Sequence, residues 1–382
     1  MTASLELFLL LGAAVYLLGA GAVYLGLQRL RERPSCESNP RVSVIVPVRN
    51  EQSNLEHCLS ALFNQSYAAH RYEVIVVDDG SEDATLQIAG AHLSLYPNLT
   101  VLSSTETEGR SPKKAAIETG IAASQGEIIM TTDADCRVPP KWIERMAGCF
   151  DAGVDAVTSW VVVERGEQLL SRVEALDSLA LVTVGAGTIG LGRPILANGA
   201  NLAFRRELFD ALGGYRKHET YVSGDDDLLI QQIGRCRHRQ VEFLAGRDTA
   251  VLTGANAGYL DYLRQRIRWA SKAPLYPLSL RLAEAGLYFF LLALAGGLPM
   301  ALAGMIVPHA LAIALSIKLI ADYILLRHSA RHLGLGFTLP LFFLAEGIQT
   351  VTVLIAGVWG LVGVTRWKGR RYYRGRAVTK RL

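Results

Sequence analysis

The chain has 382 residues, more than one hydrophobic core usually holds, and half of them are hydrophobic while 19% are charged. That composition is too apolar for an ordinary soluble protein and excludes a disordered one. The net charge of +4 is local: Arg366 to Leu382 holds eight Lys and Arg and no acid, which leaves the remainder at −4. A nucleic-acid surface would spread its cations over a folded face, so none is expected; the cluster reads instead as a juxtamembrane clamp on anionic lipid head groups.

Leu7 to Leu27 is an unbroken apolar run of 21 residues, enough for one spanning helix. No positive charge precedes it, which argues against a cleaved signal peptide. Arg29, Arg31 and Arg33 follow, so the positive-inside rule places the end of this helix, and the roughly 230 residues after it, in the cytoplasm. Cys36, Cys58, Cys136, Cys149 and Cys236 show no CxxC or His-paired zinc spacing and are expected to be reduced packing residues.

From Val42 the pattern is VSVIVPV, a polar turn at Arg49 to Glu51, the helix-like NLEHCLSALFNQ, and then YEVIVVDDGS. Short β-branched runs alternating with helical periodicity predict a mostly parallel sheet covered on both faces, a Rossmann-like α/β domain. A further run, GEIIMTTDAD, ends in Asp133 and Asp135. Ligands of open α/β sheets sit beyond the carboxyl ends of the strands, where the Asp78/Asp79 and Asp133/Asp135 pairs both fall. Two acidic loops at one sheet edge imply one site. Next come a predicted strand, AVTSWVVVE, a Gly-rich stretch from Gly185 to Gly192, ILANGANLAF, a helix around Glu207 to Leu212, and GDDDLL at Gly224 to Leu229.

No repeat or low-complexity linker interrupts residues 39–255, which read as one domain, preceded by a transmembrane helix within 1–30. Tyr259 to Lys272 mixes aromatic and basic residues at helical spacing, as in a helix lying in a membrane interface (256–283). Residues 284–365 are apolar again, in runs from Ala285 to Val307, His309 to Leu326 and Gly336 to Val364. Three full spans would leave the basic tail (366–382) outside the cytoplasm, so one run is expected to be re-entrant or interfacial, interrupted at Pro299 or Glu346. Lys318 and Asp322 share a helical face; they read as a neutralised pair, or alternatively as part of a transport pathway.

An Asp-x-Asp at a strand end supplies hard oxygen ligands for Mg²⁺ or Mn²⁺ bridging a nucleotide diphosphate. The ordered set VSVIVPVRNE, VIVVDDGSEDAT, TTDAD, GANLAFRRELFDALGGY, GDDDLL and QRIRW resembles the membrane-bound inverting glycosyltransferases of family 2, which have the GT-A fold, and the match runs from about Val42 to Trp269.

This resemblance implies a site. Pro47, Arg49 and Glu51 would line the base pocket, Asp79 would contact uracil or ribose, and either Lys113 or Lys114 would reach the nucleotide. Asp133 and Asp135 would bind Mg²⁺ or Mn²⁺. Asp226 would be the general base, with Asp225 and Asp227 as competitors. Gln265 and Arg268 of the QxxRW-like motif would grip the diphosphate, and Trp269 would form the floor under the acceptor, with Asn201 also on the acceptor side. TRWKGRRY at Thr365 to Tyr372 resembles a basic aromatic stretch that lies beside the active site in related enzymes, with a lipid-facing anchor as the other reading. The expected protein is an integral membrane enzyme of a bacterial inner membrane with its catalytic domain in the cytoplasm. It would move a sugar from a UDP-hexose to a membrane lipid hydroxyl; a processive polysaccharide synthase and a non-enzymatic transport or scaffold protein are the alternatives. A small membrane partner subunit is admitted as a source of further helices.

Overall fold

The computed structural model of the chain describes residues 2–30, 39–104, 109–236, 238–305 and 308–377; Arg31, Arg33, Cys36 and the last five residues of the basic tail lie outside them. Helix α1 spans Thr2–Arg29. The α/β domain then runs β1 (Val42–Val48), α2 (Leu55–Phe63), β2 (Tyr72–Asp78), α3 (Thr85–His92), β3 (Leu99–Ser103), α4 (Pro112–Ala123), β4 (Ile128–Thr131), β5 (Cys136–Arg137) and α5 (Trp142–Ala147). It continues through β6 (Val154–Ser159), β7 (Val161–Val163), α6 (Leu169–Gly190), β8 (Leu202–Arg205), α7 (Arg206–Leu212), α8 (Asp227–Arg235), β9 (Gln240–Leu244) and β10 (Val251–Thr253). After it come α9 (Tyr259–Ala270), α10 (Leu278–Leu302), α11 (Pro308–His332), α12 (Leu339–Val362) and a small meander of β11 (Val364–Trp367), β12 (Arg370–Tyr373) and β13 (Arg376–Ala377).

The central sheet has the order β3-β2-β1-β4-β8-β6-β9, parallel except for β8. Alternation along β1 and β2 divides the core. Val44, Val46, Val74 and Val76 face α2 and α5, while Ile45, Ile75 and Val77 face α4, α7 and α8, because successive strand residues point to opposite faces. The chain leaves β1 toward β2 and β3 and returns on the other side at β4. That reversal opens a crevice beyond the carboxyl ends of β1 and β4.

The run predicted as one strand, AVTSWVVVE, is divided between two sheets: β6 lies in the central sheet, and β7 pairs with β10. Trp160 between them is buried, and its indole donates to the Ala245 carbonyl at 2.8 Å. The Gly-rich stretch from Gly185 is the C-terminal end of α6, not a loop. Its glycines permit a close crossing with α1: a methyl group at Gly26 would overlap the Gly187 carbonyl, and one at Gly190 would overlap that of Gly26.

Among the described residues, α1, α6, α10, α11 and α12 are long and apolar enough to cross a membrane. Helix α6 is set apart by being 72% buried inside the protein, against 11–33% for the other four. Neither Pro299 nor Glu346 interrupts its helix, contrary to the sequence expectation. What differs is the placement of α12. Just before it, Arg165 donates to the Gly336 carbonyl; along it, Gln349 bonds Asp177 at 3.0 Å and Thr352 bonds Tyr259 at 3.1 Å; near its end, Gly360 lies against Ile267 and Ala270 of α9. The start and middle of α12 therefore touch the α/β domain, its end packs on α9, and the basic tail returns to the nucleoside loops. Lys318 sits between Asp322, at 2.8 Å, and Glu346, while Tyr16 donates to Asp322. This closed set ties α1, α11 and α12 together and gives each buried charge a partner.

The α1–α6 crossing yields a test. Gly187→Leu should cost about 1–3 kcal/mol by overpacking, seen as a lower melting temperature in detergent. Gly19→Leu on helix α1, where nothing lies within 4 Å, should leave it unchanged.

Candidate active site

At the end of β2 the two consecutive acids separate. Asp78 accepts from the Ser81 amide at 3.2 Å and closes the turn, whereas Asp79 faces the crevice, 2.6 Å from Arg370 Nη1 and 3.8 Å from Arg49 Nη1. Burial raises the Asp79 pKa; Arg370 and Arg49 oppose the shift. Arg49 also donates to the Asp79 carbonyl at 2.6 Å, which fixes the loop after β1 to the loop after β2. Glu51 accepts from Lys368, whose ammonium also donates to the Arg49 carbonyl at 2.7 Å. For Lys368 and Arg370 this corrects the lipid-clamp expectation: Lys368 lines the crevice and Arg370 is held by Asp79.

Beyond β4, Asp133 and Asp135 flank the short turn into β5. Lys113, at the start of α4, lies 2.7 Å from Asp133 and 3.1 Å from Asp225, and so links the two acidic loops. Burial alone would lower its pKa, but these carboxylates outweigh it and hold the ammonium above its ordinary value. Lys114, the other candidate, does not line the crevice. Its buried ammonium donates to the carbonyls of His218, Tyr221 and Ser223 at 2.9, 3.0 and 2.9 Å, and burial pulls its pKa down to about 8. Adjacent helical residues point about 100° apart, so the two lysines could not serve the same face.

Gly224, with φ +87°, turns the chain into the three acids. Asp227 is fully buried against Lys272 at 2.6 Å and the Tyr276 hydroxyl at 2.5 Å. Asp225 pairs with Lys113. Asp226 caps α8, accepting from the Asp227 amide at 2.7 Å and from the Gly199 amide at 3.1 Å. Its side chain is the most accessible of the three, 19% against 7% and 0%. Burial raises the Asp226 pKa; Lys272 counters this and Asp227 adds to it. Asp135 is likewise raised, by its enclosure and by the charges of Asp133 and Glu51.

Helix α9 carries Gln265, Arg268 and Trp269 to the same crevice. Arg268 is set 5.2 Å from the Trp367 ring; burial lowers its pKa against the pull of Asp225 and Asp133. Asn201 is not at the site, contrary to expectation. It is wholly buried, accepting from the Trp142 indole at 2.9 Å and donating to the Trp160 and Thr249 carbonyls at 2.8 Å each. Asn198 and Ala200 line the crevice in its place. Sequence reasoning did not find Arg266, Asp177 or Lys272. Arg266 is ion-paired with Asp177 and lies 4.9 Å from the Tyr262 ring and 4.3 Å from that of Trp269. A basic residue inside the QRIRW motif was the available signal.

The crevice has a volume of about 1240 Å³. It runs from Pro47, Asp79 and Asp135 past Asp226 to an apolar wall of α10 and α12 that includes Tyr288, Phe289, Gly357 and Val362. Phe289, Leu361 and Val362 line it and are roughly half exposed. Among the described residues no three His, Cys, Asp or Glu side chains converge on a point that could hold a metal ion. Asp133 and Asp135 both line the crevice.

Residues 43–213 match the family Glycosyl transferase family 2. The chain is 33% identical over 190 residues to glycosyltransferase AglE of Haloferax volcanii, covering 49% of this chain and 59% of that one. It is 28% identical over 269 residues to beta-monoglucosyldiacylglycerol synthase of a Synechocystis species, covering 62% and 53%. The chain thus spans a little over half the length of these relatives. A mannosyltransferase from Pyrobaculum calidifontis, solved with GDP-mannose and Mn²⁺, superimposes with a TM-score of 0.60 over 93% of this chain and 99% of its own, at 24% identity. With the mostly parallel sheet and the acidic crevice at its switch point, these matches show a GT-A-like fold in which residues 43–213 match glycosyltransferase family 2.

Proposed function

We propose that the protein is a membrane glycosyltransferase that moves a hexose from a UDP-sugar to the hydroxyl of a membrane lipid, with inversion. The observation that carries this reading is the continuity of the crevice from the acidic loops to an apolar wall formed by α10 and α12, two helices long and apolar enough to cross a membrane. A soluble acceptor would have no use for that wall; a lipid must keep its chains among apolar helices while its head reaches Asp226.

In this reading Arg49, Glu51 and Asp79 hold the nucleoside beside Pro47, as the loops after β1 and β2 are already tied together. Asp133 and Asp135 would hold Mg²⁺ or Mn²⁺, which neutralises the leaving diphosphate. A pair of carboxylates fits such an ion, since these cations take one or two protein carboxylates and complete their shell with substrate phosphates and water. Lys113 and Arg268 face the same leaving group, with Gln265 beside them; Arg268, partly buried and, among the described residues, without a carboxylate in ion-pair contact, is suited to a bidentate grip on phosphate oxygens. Asp226 takes the proton from the acceptor hydroxyl as its oxygen attacks the anomeric carbon, and the bond to the diphosphate breaks. A base on the acceptor side and the leaving group on the other give one displacement, hence inversion. Trp269 offers the acceptor an aromatic surface. Catalysis would occur at the membrane face to which α9 and α12 are held.

A lipid hydroxyl needs a base, and Asp226→Asn should therefore lose transfer by roughly 10²–10⁴-fold while UDP binding in calorimetry stays intact. Because burial raises the Asp226 pKa from its ordinary value, the acidic limb of kcat/KM should lie above that of an unperturbed aspartate, with transfer lost as pH falls through it. Normal turnover of Asp226→Asn alongside an inactive Asp225→Asn would move the role by one residue.

Asp135→Ala should lose transfer and Mn²⁺-dependent UDP binding together; unchanged UDP and Mn²⁺ affinity would refute the metal assignment. Lys113→Ala should weaken UDP binding as well.

The apolar wall is tested at Gly357, where a methyl group would lie 2.9 Å from the Tyr288 ring. Gly357→Leu should raise the acceptor KM about tenfold or more, as steric blocking of an apolar pocket does, with UDP affinity unchanged. Mass spectrometry of the lipid product should show one added hexose; a ladder of masses would replace this reading with processive synthesis.

A further inference from the structure

The segment that carries Asp226 into the crevice, Thr220 to Ser223, belongs to no strand of the central sheet, so its hydrogen bonds must go elsewhere. They go to two places. From below, Lys114 binds the carbonyls of Tyr221 and Ser223. From above, the C-terminal meander adds itself as a strand: the Val222 amide donates to the Gly375 carbonyl at 2.8 Å, the Ala377 amide donates to the Thr220 carbonyl at 2.8 Å, and Tyr221 bridges antiparallel to Arg376. Arg376 also donates to the Tyr221 hydroxyl through Nε at 3.0 Å and Nη2 at 2.8 Å, with its guanidinium 5.0 Å from the ring. Gly375 is seated against Ser271, just after α9, at a φ of +69° that only glycine adopts without strain. The other end of the meander is tied to the nucleoside loops through Lys368 and Arg370.

We propose that the meander is a positioning element for the general base: Arg376 and Gly375 hold the Thr220–Val222 segment, and thereby Asp226, in register, and Lys368 and Arg370 couple that register to the occupancy of the donor pocket. This rests on the reading of Asp226 as the base. The chemistry rewards such positioning, because a base out of place by an ångström loses much of the rate. Arg376 touches neither substrate and acts only through Tyr221. Donor entry displaces Lys368 and Arg370 from Glu51 and Asp79 onto the incoming nucleotide, and the strand at the far end of the same meander carries the change to the base loop.

The test is hydrogen exchange by mass spectrometry on the full-length protein in detergent, with and without UDP and Mn²⁺, combined with calorimetry of UDP and with UDP release from UDP-hexoses in the presence of a membrane lipid extract. In Arg376→Ala, exchange in a peptide covering 218–227 should be about tenfold faster, as for a locally opened segment, and kcat should fall about 10- to 100-fold with UDP affinity within about threefold. Arg376→Lys should recover part of both, and Gly375→Val, which acts through the backbone, should reproduce the loss. In wild type, UDP with Mn²⁺ should slow exchange in 218–227, and Lys368→Ala with Arg370→Ala should abolish that slowing. Unchanged exchange in 218–227 in both Arg376→Ala and Gly375→Val overturns the proposal, as does a parallel loss of UDP affinity and kcat without faster exchange, which would make the meander a plain wall of the nucleotide pocket. A wild-type protein that binds no UDP and releases none defeats the functional reading instead, and the exchange of the two variants still decides whether the meander holds the loop.

Discussion

The contact on which the site depends is the Lys113 ammonium held between Asp133 and Asp225. Three separate loops bring Asp79, Asp133, Asp135, Asp225 and Asp226 to one crevice, and carboxylates this close repel one another unless cations are interleaved. Lys113 does this between the loop after β4 and the loop before α8, Lys272 neutralises Asp227 beneath them, and Arg49 and Arg370 do so at Asp79. Burial is the first cause of the raised pKa values of Asp79, Asp135 and Asp226.

A second constraint comes from the long apolar helices. They cannot present a polar crevice to lipid, yet in the proposed reaction one end of that crevice must take a hydrocarbon chain. The α/β domain meets this by using α6, apolar enough to span a membrane but buried, as a platform on which α1, α11 and α12 pack. Its buried Asp177 receives Tyr262, Arg266 and Gln349, so one carboxylate joins the QRIRW helix to α12. The glycines shared by α1 and α6 let backbones approach where side chains would hold them apart.

Much of the nucleotide end was legible in the sequence because it is local. A β-branched run that stops at an acid reports both a strand and the residue beyond its carboxyl end, so Asp79, Asp133 and Asp135 could be placed on one edge from pattern alone. The order of the acidic signatures was informative for the same reason. Lys113 and Lys114 could not be separated: a helix starting at Pro112 accepts either, and only the packing of α4 against the loop at His218 to Ser223 sends one to the crevice and the other beneath it. Asn201 was drawn to the acceptor by the motif around it, yet its amide is consumed by Trp142, Trp160 and Thr249, three partners distant in sequence. The basic tail was read from composition as a lipid clamp, and composition does not record which carboxylates a Lys or Arg will meet.

The sequence by itself determined the alternation of strands and helices, the edge on which the acids gather, and the presence of apolar helices at both ends, since each is set by hydrophobic period and by residue types within a few positions. The tertiary structure alone decided that α12 lies along the α/β domain, that the three consecutive acids have three different environments, and that the C-terminal meander closes over the nucleoside loops. Those features depend on contacts between residues more than three hundred positions apart, such as Lys368 with Glu51. Pairings of that range are fixed by the packing of whole elements against one another, for which no local pattern carries a signal.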